Sequence, residues 1–325
     1  MSSLNEISIV IPVYNSELSL PLVVDRLQQL SVKQDFKFEL ILVDDGSRDG
    51  SWGVIQALCA QNANVRGFRM MRNYGQHNAL LCGIRAANFS VIATMDDDLQ
   101  NPPEELPRLL DRLEDGFDVV YGTPQEEKHG LLRDFASRIT KIVLQKSMGA
   151  ETARNISAFR VFKTRLRDAF ARYNGSYVSI DVLLTWGTRK FAAVKVRHEA
   201  RAIGASNYTI GRLIAHALNM VTGFSVLPLQ FASLVGVTFT LFGAVILIYV
   251  LFRYLINGST VQGFPFLASI IAIFSGAQLF ALGIIGEYLA RIHVRTMDQP
   301  SYTIAESTGS ADVGRAVEAK MTSHG

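Results

Sequence analysis

Three consecutive carboxylates, Asp96, Asp97 and Asp98, close an apolar run that begins at Val91, and Leu99, Gln100, Asn101, Pro102, Pro103 and Glu104 follow them. Like charges packed this closely repel one another unless a cation neutralises them. Carboxylates beside an amide oxygen suit a hard cation such as Mg2+ or Mn2+, which commonly shares its coordination with substrate phosphates. The run predicts a metal–nucleotide site at the carboxyl end of a strand; the plainer alternative is a solvated acidic turn. A second pair, Asp44-Asp45, ends another apolar run and is followed by Gly46-Ser47.

The elements that must position these acids alternate along the first 125 residues. Strands are predicted over 7–13, 38–43, 65–70, 91–95 and 118–122. Helices are predicted over 20–30, from 48 to about 59, over 76–87 and over 103–114, with Ser19 as an N-cap. Such alternation implies βαβ units and a mostly parallel sheet, whose ligands bind outside the carboxyl ends of the strands. Both acidic groups then fall at one crevice. The turn after the first strand, Val13-Tyr14-Asn15-Ser16-Glu17, carries no Gly-x-Gly-x-x-Gly, and no P-loop occurs. Phosphate handling therefore falls to a metal.

The remainder is of another kind. No Asp, Glu, Lys or Arg occurs over 213–252 or over 254–286. Each stretch exceeds the roughly 20 apolar residues that cross a bilayer, and spans are predicted over 233–252 and 265–286, with Gly236, Gly243, Gly276, Gly283 and Gly286 suited to close helix packing. Segments 131–148 and 208–226 read as basic amphipathic helices suited to a membrane interface. The domain reading is 1–207 catalytic, 208–232 interfacial, 233–290 a two-helix hairpin, and 291–325 a partly disordered tail. No secretory signal pattern opens the chain. Two spans return it to its starting side, and Arg201, Arg212, Arg291 and Arg295 flank them. The positive-inside rule then places the catalytic domain and both termini in the cytoplasm, on an inner-membrane protein. Two cysteines, Cys59 and Cys82, build no disulfide framework. The net charge of +3 does not point to nucleic acid.

Four segments together, Ile11-Pro12-Val13-Tyr14-Asn15, Val43-Asp44-Asp45-Gly46-Ser47, Arg72-Asn73-Tyr74-Gly75-Gln76-His77 and Asp96 through Glu104, resemble the inverting family 2 glycosyltransferases of GT-A fold. More narrowly, the chain is similar over about residues 5–300 to the polyprenyl-phosphate glycosyltransferases, including dolichol-phosphate mannose synthases, bactoprenol glucosyltransferases and undecaprenyl-phosphate aminoarabinose transferases. The similarity includes Gly283-Ile284-Ile285-Gly286-Glu287-Tyr288-Leu289-Ala290-Arg291-Ile292. It implies an α/β GT-A sheet with flanking helices, then interfacial and two transmembrane helices. It implies transfer of a sugar from a UDP- or GDP-linked donor to a polyprenyl phosphate.

By position, the resemblance implies that Pro12, Tyr14, Val43 and Asp45 line the nucleoside pocket, with Ser16 and Asp97 beside it. Asp96, Asp98 and Gln100 hold the Mg2+ or Mn2+ against the diphosphate. Arg201 contacts phosphate, and Arg133 and Ser137, one helical turn apart, face the lipid phosphate. Departures from the family pattern are Ser16 for a frequent Glu, Asp97 for a frequent Ala, Gln125 for Arg, Ala158 for Asp, and Asn207 for Lys. Lys128, Lys141 or Lys195 are candidates to compensate. His77 is read as a structural or donor-pocket contact rather than a base, and His198, His216 and His293 as structural. Two other readings stay open: a catalytically weak scaffold in a glycan assembly complex, and a processive synthase, whose usual Gln-x-x-Arg-Trp element is not matched at Leu183-Leu184-Thr185-Trp186. A small homo-oligomer through the spans is a further expectation.

Overall fold

The computed structural model describes residues 6–124, 156–175, 178–199, 227–257, 264–297 and 299–309. Arg133, Ser137 and Arg201, the two amphipathic segments, and Gln125, Lys128, Lys141, Asn207 and His216 lie outside the described residues. The chain divides into two compact units, one carrying the sheet and the other two long helices.

The first unit is built on eight strands: β1 (Glu6–Val13), β2 (Lys37–Asp44), β3 (Val65–Met70), β4 (Val91–Thr94), β5 (Val119–Pro124), β6 (Arg160–Lys163), β7 (Phe191–Val196) and β8 (Ile304–Thr308). Their order is β7-β5-β6-β4-β1-β2-β3-β8. β6 and β8 run antiparallel to their neighbours and the rest pair in parallel. β1 and β2 are buried on both faces, as their unbroken apolar runs require in a sheet covered by helices. The covering helices are α1 (Leu20–Gln34), α2 (Ser51–Gln61), α3 (Gln76–Ala86), α4 (Leu106–Glu114) and α5 (Ile180–Gly187). Ser19 precedes α1, but its hydroxyl donates to the Ser16 carbonyl instead of capping the helix.

After β3 the chain returns to the other side of β1 to form β4, so a crevice opens between the carboxyl ends of β1 and β4. At the opposite edge, fully buried Ser8 donates to Glu39 (2.5 Å), which also accepts from Asn88. That polar cluster is satisfied within the protein and lies away from the crevice.

The second unit holds α6 (Leu227–Asn257) and α7 (Phe264–Thr296). Phe239 and Phe274 meet edge-on at 5.7 Å between ring centres. Leu229–Arg253 and Ile273–Thr296 are long and apolar enough to cross a membrane, and unlike core helices they are not buried within the protein. This is a membrane protein.

Part of the segment read as a tail is regular structure. α7 runs on to Thr296, beyond residue 290, and Ile304–Thr308 is ordered as strand β8 on the edge of β3. A polar composition argues against a buried core, not against main-chain pairing to an open strand edge, which needs no apolar side chains.

Candidate active site

Pro12 is in register with Val43, and Val13 with Asp44, so the turns after β1 and β2 leave the sheet side by side. Short polar residues lace them together. The Asn15 amide donates to Ser47 Oγ (3.0 Å), and Asn15 Oδ1 accepts from the Arg48 amide (2.8 Å). The Ser16 amide donates to Ser51 Oγ (2.8 Å), and Glu17 Oε2 accepts from the Gly50 amide (2.7 Å) at the start of α2. Glu17 therefore serves the turn. Asn15 sits at φ 55°, a left-handed conformation that Asn tolerates better than most residues.

Asp45 is buried, and each of its oxygens accepts a backbone N–H, from Tyr74 (2.7 Å) and Gly75 (2.8 Å). Burial pushes Asp45 up to about 6, the two amides pull the other way, and adjacent Asp44 adds to the rise. Gly46 lets this loop approach: its φ is +69°, and a Cβ there would lie 2.7 Å from the Arg72 carbonyl carbon and the Asn73 nitrogen. The crossing loop leaves the Arg72 guanidinium 4.4 Å above the Tyr74 ring. Asp45 thus holds the 72–75 loop closed as well as lying at the expected nucleoside pocket.

Thr94 is in register with Val10, and the Met95 amide donates to the Val10 carbonyl, so the acidic run emerges beside Pro12 and Tyr14. The three carboxylates then diverge. Asp96 accepts from Gln76 Nε2 (2.6 Å) at the start of α3. Asp97 turns to the β1 loop, near the Ser16 side chain and the Tyr14 amide, while the Ser16 hydroxyl donates to the Tyr14 carbonyl (3.3 Å). Burial raises the Asp97 pKa, Ser16 and Tyr14 oppose the rise, and Asp98 adds to it. Asp98 Oδ1 accepts from the Gln100 amide (3.1 Å) across Leu99. Leu99 is buried at φ 59°, a strained conformation for a leucine that bends the chain between Asp98 and Gln100.

The run is underpinned on one side by buried Arg160, which pairs with Asp181 and donates to Thr94 Oγ1 (3.0 Å). Tyr121 adds a hydrogen bond to Asp181 (3.0 Å), and Thr94 donates to the Ala158 carbonyl (2.7 Å). On the other side the Glu199 amide donates to the Gln100 carbonyl (2.8 Å), while Arg26 binds Glu104 and Arg197 binds Glu105. The segment after β7 is thereby fastened to the acidic motif.

The structure brings Pro12, Tyr14, Ser16, Val43, Asp45, Asp96, Asp97, Asp98 and Gln100 to one sheet edge. Among them Tyr14 is exposed, whereas Val43 is fully buried. His77 Nδ1 accepts from the Ile180 amide (3.4 Å), and His198 Nδ1 lies 3.4 Å from Asn101 Oδ1. Sequence reasoning assigned no role to Gln76 or to the Tyr74 and Gly75 amides. Their place at the start of a helix following a parallel strand was the available signal, because that position shares the carboxyl edge.

Among the described residues no group of three or more His, Cys, Asp or Glu side chains is gathered for a metal. With Asp97 committed to the β1 turn, Asp96 and Asp98 remain as a carboxylate pair. Two carboxylates completed by substrate phosphate and water fit Mg2+ or Mn2+ better than a cation needing an all-protein cage.

Residues 8–172 match the profile described as glycosyl transferase family 2. An undecaprenyl-phosphate 4-deoxy-4-formamido-L-arabinose transferase of Shewanella sediminis (strain HAW-EB3) is 34% identical over 303 residues, covering 92% of each chain. The protein of the same description from Pseudomonas aeruginosa (strain LESB58) is 34% identical over 301 residues, covering 92% of this chain and 89% of its own. The fold is shared with glucosyl-3-phosphoglycerate synthase of Mycobacterium tuberculosis, solved with Mn2+, UDP-glucose and phosphoglyceric acid. That match has a TM-score of 0.51 and 19% identity, over 67% of this chain and 77% of that one.

Proposed function

Because this chain belongs to glycosyl transferase family 2, we propose that this glycosyltransferase moves a sugar from a nucleotide-linked donor to the phosphate of an undecaprenyl-type lipid, inverting the anomeric carbon. The observation that carries the reading is the meeting of the Asp96–Asp98 run with the laced turns after β1 and β2 at one sheet edge. The likeness to undecaprenyl-phosphate transferases along nine-tenths of the chain supports the lipid acceptor. 4-Deoxy-4-formamido-L-arabinose, the sugar those relatives are named for, is the first donor sugar to test.

Tyr14 stacks on the nucleoside base, and Asp45 keeps the 72–75 loop against the pocket. Asp96 and Asp98, with Gln100, would hold Mg2+ or Mn2+. When bound, the ion supplies charge stabilisation for the departing nucleoside diphosphate. Arg201 adds to that stabilisation. Arg133 and Ser137 hold the lipid phosphate. One of its oxygens forms the bond to the anomeric carbon as the bond to the diphosphate oxygen breaks. A phosphate monoester has a second pKa near 6, so it is mostly dianionic at neutral pH and needs no general base. Ala158, where some relatives have Asp, then costs little.

α6 and α7 cross the inner membrane as a hairpin, with the catalytic unit and both termini cytoplasmic. The pairing of β8 with β3 supports an even number of crossings, since strands on both sides of the hairpin share one sheet. The exposed apolar faces of α6 and α7 also offer a route to a small oligomer in the bilayer.

Purified protein in lipid, given undecaprenyl phosphate, Mg2+ or Mn2+ and a panel of UDP- and GDP-sugars, tests the reading by mass spectrometry of the lipid product. The expected result is a sugar-phosphate-lipid from one donor that disappears in Asp98→Ala. Metal-dependent nucleotide binding with no product from any donor would favour a scaffold instead.

A further inference from the structure

The strand that follows the membrane hairpin contributes almost nothing apolar, since most of Ile304–Thr308 is exposed. It is held by other means. Phe68 pairs with Ser307 and Arg69 with Glu306, and the Met71 amide donates to the Thr303 carbonyl (3.0 Å). Just before it, Tyr302 is buried with the Arg85 guanidinium 5.7 Å from its ring, and Ser301 donates to the Gly175 carbonyl (2.8 Å). Just after it, Gly309 sits at φ +98°, where a Cβ would meet the Val65 carbonyl at 2.8 Å.

One side chain of this strand reaches toward the donor site. Glu306 Oε2 accepts from Trp52 Nε1 (2.9 Å), and Oε1 from Arg69 Nη1 (3.2 Å). Arg69 also lies 5.9 Å over the Trp52 ring, and its Nε is 3.6 Å from Asp44 Oδ2. Asp44 is fully buried, and that oxygen has no hydrogen-bond partner. The Arg69 charge is therefore what offsets a buried carboxylate oxygen, a group that is costly to leave uncompensated. Asp44 Oδ1 fixes the Ser47 amide (3.0 Å), and Ser47 Oγ holds Asn15 beside Tyr14. A continuous set of polar contacts thus runs from Glu306 to the turns that frame the nucleoside pocket.

We propose that Glu306 is a positioning residue for the nucleotide site, and that docking of the C-terminal strand and nucleotide binding are coupled through Arg69 and Asp44. The proposal rests on the reading of those turns as the nucleotide pocket. Without Glu306 the half-exposed Arg69 side chain is released to water, and Asp44 is hydrated only if its turn opens. Coupling is reciprocal, so nucleotide binding holds the strand down as firmly as the strand holds the pocket.

The chain has two tryptophans. Trp186, exposed and in contact with Tyr173, stands outside this set of contacts. In a full-length Trp186→Phe background Trp52 is the sole indole, and its emission reports whether Glu306 is in place. UDP and GDP, each with Mn2+, are titrated against the protein in nanodiscs, by calorimetry and by emission. We expect Glu306→Gln to weaken binding of the preferred nucleotide about fivefold or more. Arg69→Met should match it, and the double variant should be no worse than either alone. Ser307→Ala, on the same strand but outside the set, should bind as wild type does, and circular dichroism should show all variants folded. Nucleotide affinity of Glu306→Gln within about twofold of wild type, with Trp52 emission red-shifted by release, would overturn the coupling and leave the nucleotide site standing. Wild type that binds neither nucleotide would overturn the site itself, and the coupling with it.

Discussion

Asp44-Asp45 and Asp96-Asp97-Asp98 leave the same sheet edge after buried strands, and different groups satisfy them. The first pair is bound by main chain: Ser47 N–H on Asp44, Tyr74 and Gly75 N–H on Asp45. The second run mixes a side chain from another element with nearby main chain: Gln76 on Asp96, the Ser16 side chain and Tyr14 N–H beside Asp97, and Gln100 N–H on Asp98. A carboxylate whose two oxygens each accept a backbone amide, as in Asp45, fixes the path of a loop. Asp96, met by the neutral Gln76 side chain, and Asp98 are the candidates to face a cation. The same residue type therefore builds the frame in one motif and the charge in the other, and Asp97, tied to the β1 turn, belongs with the frame.

The strongest way to break this contrast is from beneath the second run. Arg160→Met leaves Asp181 buried without its cation and Thr94 without its donor. A loss of about 3–5 kcal/mol of stability is expected, read by chemical denaturation of the catalytic unit's signal. Asp98→Asn comes next. It should lower kcat by about 10²–10³-fold while the melting temperature hardly moves, because Asn keeps the oxygen that accepts the Gln100 amide across the turn. A large melting shift with modest kinetic loss would place Asp98 in the frame instead.

The sequence made the first five strands legible because both-face burial demands mostly apolar runs such as Ile9-Val10-Ile11. The acids followed, since a parallel sheet fixes which edge they occupy. The division of labour within the run was not legible. Asp96, Asp97 and Asp98 are identical in type, and their aims depend on the pleat of β4 and on Leu99 at positive φ, a conformation leucine does not advertise. β6 and β7 carry charged residues, Arg160, Lys163 and Lys195, that break an apolar pattern, and β8 is held by main-chain pairing and by Glu306, so composition gave no sign of it. The spans predicted over 233–252 and 265–286 fall within α6 and α7. Absence of charge marks the hydrocarbon-facing part of a helix, and the backbone helix continues past Arg253 and Glu287 into the polar boundary.

A third prediction uses pH to separate frame carboxylates. Asp45 is raised from its ordinary 3.8 to about 6, by burial above all. Its stability contribution is fully present below pH 3.8 and is lost as pH rises through about 6. Wild type should therefore lose stability relative to Asp45→Asn between those values, while nucleotide affinity rises as the carboxylate forms and accepts Tyr74 and Gly75. Asp118 has the opposite sign. Although burial opposes it, hydrogen bonds from Lys163, Thr188 and Arg165 bring Asp118 down to about 2. That contribution is present above pH 3.8 and fades as pH falls toward about 2. Urea melts across pH for wild type, Asp45→Asn and Asp118→Asn check both signs.

The finest test of the contrast is Ser16→Ala. If Asp97 belongs to the frame, it acts on the β1 turn beside Ser16, whose hydroxyl donates to the Tyr14 carbonyl (3.3 Å), and removing that hydroxyl loses about 1 kcal/mol, or roughly a fivefold rise in donor KM. The effect should fall on KM and spare kcat, because Ser16 shapes the turn that presents Tyr14 and touches no breaking bond. Metal dependence should also be unchanged, with the same Mg2+ or Mn2+ concentration giving half-maximal rate. A shift in that concentration on Ser16→Ala would mean that Asp97, once released, turns toward the cation, so that its neighbours and not its residue type keep it out of the metal site.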